Sequence, residues 1–141
     1  MNIILILNFA LVLSVAGCSS VTTSSLHCTP LARKEKELIN SDLNSMLVRD
    51  GFHASSDSST PWGKAWSNYS SSPLSKGRAE FQVGASTNST ALDIDVYYYR
   101  GAGRANKALV NAIVACVQRD APRATVKIKT TTEIFPSWLK E

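Results

Sequence analysis

Along most of this chain apolar residues return at a regular step, and the step changes from segment to segment. Leu31, Leu38, Ile39, Leu43, Met46 and Leu47 recur every three or four residues, the spacing that lines one face of an α-helix. Thr29 and Pro30 stand where an N-cap and a first helical residue are expected, and Gly51 where that helix should stop. Lys34, Glu35, Lys36 and Glu37 form its solvated face. Further on the step becomes two. Ala79, Phe81, Val83 and Ala85 alternate with polar or small residues, and Leu92, Ile94, Val96 and Tyr98 alternate with Asp93, Asp95, Tyr97 and Tyr99. This predicts a hairpin over 79–86 and 91–99, turned by Thr87-Asn88-Ser89-Thr90. Pairing Ser86 with Ala91 brings both apolar sets to one face, which a slip of one residue would not.

The period then lengthens again. Ala105, Ala108, Leu109, Ala112, Ile113 and Cys116 stripe a second helix from Arg104 to Asp120, stopped by Pro122. Ala124 to Ile134 reads as a last strand, with Val126 and Ile128 on one side and Lys127 and Lys129 on the other. Phe52 to Ser55 is a candidate short strand. Residues 55 to 77, rich in serine, read as irregular, and Phe135, Pro136, Trp138 and Leu139 as an apolar tail folding back on the domain. The expected fold class is α+β: a two-layer sandwich with two helices on one face of a three- or four-stranded mixed sheet. A right-handed crossover through the second helix would lay strand 124–134 parallel to strand 91–99, bringing Lys127 and Lys129 beside Asp93 and Asp95.

The N-terminus carries a different signal. Ile3 to Leu13 is apolar except for Asn8, and Ser14, Val15, Ala16, Gly17 and Cys18 follow. As a helix this run would reach only about 21 Å, short of a hydrocarbon core of about 30 Å. A short apolar stretch ending in small residues is the pattern of a cleaved export signal. Val15-Ala16-Gly17-Cys18 resembles the lipobox of bacterial lipoprotein precursors. That resemblance implies removal of residues 1–17 and acylation of Cys18 as the first residue of the mature chain. It departs from the family pattern in having no Lys or Arg ahead of the apolar run. Ser19, where an Asp would favour inner-membrane retention in such proteins, points to the outer membrane, facing the periplasm. Residues 18–28 read as a Ser/Thr-rich tether, leaving 29–141 as one domain.

The chain has 141 residues, 44% apolar and 18% charged, and a net charge of +4, the proportions of one small globular domain. The excess charge sits late: residues 98 to 141 hold eight basic and three acidic side chains. An exported protein with a modest basic surface and no nucleic-acid motif is expected to meet an envelope protein or an anionic glycolipid, not nucleic acid. With Cys18 committed to lipid, Cys28 and Cys116 remain, and an oxidising compartment permits a disulfide between them.

Candidate chemistry is thin. His27 and His53 have neither metal-ligand spacing nor a sequence-adjacent acid. Asp93 and Asp95 share a face of one strand, but on the wet side, where pairing with lysine fits better than acid–base work in a cleft. Gly101-Ala102-Gly103-Arg104-Ala105-Asn106 opens a helix like a dinucleotide fingerprint, yet lacks the third glycine and a ribose-binding acid. Arg100, Arg104 and Lys107 around that turn suit an anion. Trp62, Trp66 and Tyr69 fall at i, i+4 and i+7 behind Thr60-Pro61, predicting a short helix with one aromatic face for partner contact. No cofactor, metal or catalytic set is expected. The topology looks like that of several small lipoproteins assisting envelope transport machines. The expected function is a non-enzymatic, lipid-anchored binding or assembly module, with a periplasmic immunity protein or inhibitor as the alternative and a small envelope hydrolase behind both.

Overall fold

A computed structural model of the protein describes residues 18–55, 63–68, 80–100 and 103–136. The elements run β1 (Cys18–Thr29), α1 (Arg33–Arg49), β2 (His53–Ser55), β3 (Lys64–Ser67), β4 (Glu80–Thr87), β5 (Leu92–Arg100), α2 (Gly103–Asp120) and β6 (Thr125–Pro136). The six strands form one sheet in the order β2-β3-β4-β5-β1-β6, with every neighbouring pair antiparallel.

This corrects the expected three- or four-stranded mixed sheet. The extra strands come from segments without visible periodicity. Residues 18–28, read as a tether, are nearly all of β1, a twelve-residue strand between β5 and β6. Its Ser/Thr-rich sequence hides an alternation in which Ser24, Leu26 and Cys28 point into the protein. β5 and β6 are each antiparallel to β1, so they run in the same direction, as the crossover argument required, but β1 separates them. Lys127 and Lys129 therefore stand opposite His27 and Ser25, not Asp93 and Asp95. β3 lies inside the segment read as irregular.

Residues on one face of the sheet (Leu26, Ile94, Val96, Val83, Phe81 and Trp66) share a core with Ile39, Leu43 and Leu47 of α1 and Val110, Ile113 and Val117 of α2. Both helices thus cover that face. Phe81 lies between Phe52 and Tyr98, with ring centroids 6.4 and 5.2 Å away and planes tilted by 31° and 37°. α1 starts later than expected. Thr29 ends β1, the Thr29–Pro30 peptide is cis, and the N-cap is Ala32, whose N–H donates to the Glu35 carboxylate at 2.7 Å. Its end follows the sequence reading. Gly51 adopts φ +88°, its N–H donates to the Val48 carbonyl, and the Phe52 N–H reaches back to Leu47. These two bonds make a Schellman cap, closed by burial of Leu47 and Phe52.

The hairpin forms with its apolar faces matched, but pairs Ser86 with Asp93, two residues from the expected register. The reason is the loop. Asn88 takes the N–H groups of Thr90 and Ala91 on its side-chain oxygen, at 3.1 and 2.7 Å, and its own N–H bonds the Ala91 carbonyl. The loop thus closes on Asn88 and Ala91, and the strands begin outside it. A shift of two keeps side-chain parity, so the core is unchanged. Lys36, assigned to solvent, instead donates to the Asn88 and Ser89 carbonyls at 2.7 and 2.9 Å, fastening α1 to this loop.

Candidate functional site

The face of the sheet away from the helices carries partly exposed side chains on β5, β1 and β6, organised by β1, while Ala65 and Gly84 at its β3–β4 end are buried. Across the strands, Ser86, Asp93, His27 and Lys127 form one row, and Gly84, Asp95, Ser25 and Lys129 the next. His27 Nδ1 meets the Asp93 carboxylate at 2.5 Å, with both side chains about half exposed. Further along, Tyr97 and Tyr99 stack with ring centroids 6.5 Å apart and planes 20° off parallel. The Tyr99 hydroxyl donates to Gln82 Oε1 at 3.0 Å, and the ring is 39% exposed. Partial burial, with Asp95 and Glu133 nearby, raises the Tyr97 pKa and keeps the phenol neutral.

A histidine beside a carboxylate invites a hydrolase reading, but the row has the wrong order. In a nucleophile–base–acid relay the imidazole stands between hydroxyl and carboxylate. Here the serine of the row, Ser86, lies on the far side of Asp93 from His27. What the face does offer is a pair of stacked tyrosine rings, a residue type enriched in protein contacts, bordered by the charged and polar groups usual at a contact's rim.

A second concavity lies between the helices. It is a groove of about 650 Å³ lined by Asp42, Ser45, Met46 and Arg49 of α1 and Ala112, Ala115, Cys116 and Arg119 of α2. Arg119 bridges it, donating to Asp42 at 2.5 Å and to Asp120 at 2.7 Å. The hydrogen bond from Arg119 holds the nearly buried Asp120 carboxyl below its usual range, and the same bond keeps the guanidinium protonated. The Cys116 thiol lies 3.7 Å from Asp120. Burial and that carboxylate push it up to about 11, so it is a neutral thiol at physiological pH and a poor nucleophile. Burial, with Asp93 nearby, pushes Cys28 likewise to about 11. Both cysteines are buried and free; the disulfide the sequence permitted is not formed.

Among the expected contact residues, Trp66 is corrected outright. It belongs to a strand, not an aromatic helix face, lies opposite Val83 and is 1% exposed. Its indole N–H donates to Asn44 Oδ1 at 2.9 Å, which ties β3 to α1. Trp62 and Tyr69 lie outside the described residues. Arg100 ends β5, with its side chain outside the described set, while Arg104 and Lys107 are exposed in the first turns of α2, which carry no acid. Cys18 is the first residue of β1. Among the described residues no group of three or more His, Cys, Asp or Glu could hold a metal, and no helix is long and apolar enough to cross a membrane. The His27–Asp93 pair was missed because a residue in a tether has no cross-strand partner. The cue was Leu26 and Cys28 flanking His27, a three-residue alternation at the end of a β-prone Ser/Thr run.

No family model matches this chain, and no curated protein does. Among solved structures it is similar to a de novo designed protein, Foldit4, at 12% identity and a TM-score of 0.43, over 81% of this chain and 98% of the design.

Proposed function

We propose that the protein is a lipid-anchored component of a bacterial envelope, a non-enzymatic module that offers the sheet face away from its helices to a protein partner. The observation that carries the anchoring is the Val15-Ala16-Gly17-Cys18 sequence behind its short apolar run. Cleavage ahead of Cys18 would leave the six described strands intact. Tyr97 and Tyr99 support the binding role: aromatic rings give large contact area at small entropic cost, and these two are already held by stacking and the Gln82 bond. Exposed Arg104 and Lys107 add cationic groups for an anionic headgroup at the α2 end.

Mass spectrometry of the N-terminal peptide tests the anchor. The expected result is Cys18 carrying diacylglycerol, with precursor accumulating under globomycin; an unmodified thiol overturns it. A photo-crosslinker at position 99 in intact cells tests the face. Capture of an envelope component supports the assembly reading. A single toxin held at 1:1 would make the protein an inhibitor instead, and crosslinks from the position of Gln118, exposed on α2, but not from 99 would move the contact to the helices.

A further inference from the structure

Among the described residues β6 is one of the two end strands of the sheet, and its residues from Lys127 to Ile134 are all exposed. Edge strands are normally kept short, bulged or broken by proline. This one pairs with β1 over twelve residues in unbroken register, and its single proline, Pro136, is its last residue. On the helix side of the sheet it shows Ile128 and Ile134, 50% and 69% exposed. On the other side it shows Lys127, Lys129 and Glu133, none of which forms an ion pair among the described residues.

These positions are self-complementary. A two-fold axis through Thr131, perpendicular to the sheet, lays β6 antiparallel to a copy of itself and keeps each face on its own side. In that register Ile128 meets Ile134 of the second copy twice, Lys129 meets Glu133 twice, and Thr130 meets Thr132. Moving the axis to Thr130 pairs Lys127 with Glu133 but sets Ile128 against Thr132, and sends Ile134 to Val126, which is already packed against the core. Moving it to Thr132 leaves Lys129 opposite Phe135 and Ile134 opposite Thr130. Only the Thr131 register satisfies both the exposed isoleucines and the charges. We propose that two copies of this chain join edge to edge through β6, centred on Thr131, into a continuous twelve-stranded antiparallel sheet.

The test is sedimentation velocity of the full chain in mild detergent, with circular dichroism confirming that each variant folds. The wild type should be dimeric. Lys129→Glu and Glu133→Lys should each raise the dimer dissociation constant about tenfold or more, because each puts like charges opposite each other twice. Mixing the two single variants should restore a dimer, since positions 129 and 133 are then both acidic on one chain and both basic on the other. The Lys129→Glu/Glu133→Lys double variant should also dimerise. Thr131→Cys should crosslink to itself under diamide, as directly opposed residues are about 4.5–5.5 Å apart at Cα, within disulfide range, while wild type does not. A wild type that stays monomeric at millimolar concentration, or a dimer indifferent to the charge reversals, overturns the proposal. The inference does not depend on the lipid anchor.

Discussion

Gly51 shows how much one residue can settle. At φ +88° it ends α1 and sends the chain into the sheet, and a Cβ placed there would meet nothing within 4 Å. The cost of Gly51→Ala is therefore backbone strain alone, about 1–2 kcal/mol, and Gly51→Asn should cost less. Urea denaturation of the two variants measures both. The cysteines make a second residue-scale prediction. Each thiol sits near 11 in the folded protein, above its unfolded value, so the unfolded chain loses these protons first as pH rises. Stability should be insensitive to these thiols below about pH 8.5 and should fall between there and pH 11, a limb that Cys28→Ala and Cys116→Ala each reduce. Alkylation by iodoacetamide at neutral pH should track unfolding. Gly51 was legible because a helix stop needs one residue type in one place. Trp66 was not: its spacing to Trp62 and Tyr69 imitated a helix, and a strand of four residues is too short to display alternation.

At the scale of elements, β1 decides the architecture. Leu26 is 1% exposed on a strand flanked on both sides, so Leu26→Ala should cost about 2–5 kcal/mol, read by chemical denaturation. Were residue 26 in a tether, the same change would cost nothing. Both helices, the hairpin faces and the final strand were legible because each carries its own period over eight or more residues. β1 was not, since Ser, Thr and Val21 dominate its first eight positions and its polarity looks like solvent. There, hydroxyls take the place of apolar packing: Thr22 bonds Thr132 and Ser24 bonds Thr130 across to β6, each at 3.1 Å. The hairpin register turned on Asn88, whose two side-chain bonds choose the loop. Asn88→Ala should cost about 1 kcal/mol by the same measurement, without disturbing the apolar faces.

For the molecule as a whole, the order of strands was beyond reach of local patterns, because a strand enters between two others only through contacts far apart in sequence. The same holds for the bridge that joins the two helices. Arg119 on α2 reaches Asp42 on α1 while holding Asp120 beside it, and that geometry fixes how the fold responds to acid. Asp120 has a folded pKa below its unfolded value, so it contributes stability above about pH 3.9 that is lost as pH falls through the folded value. Removing Arg119 takes away the largest cause of that lowering, so Arg119→Ala should be less stable than wild type at pH 7, and the gap should narrow as pH falls and Asp120 takes up its proton. Urea midpoints at pH 7, 4 and 3 read the gap; parallel pH profiles would mean that the bridge carries no net electrostatic weight between the helices.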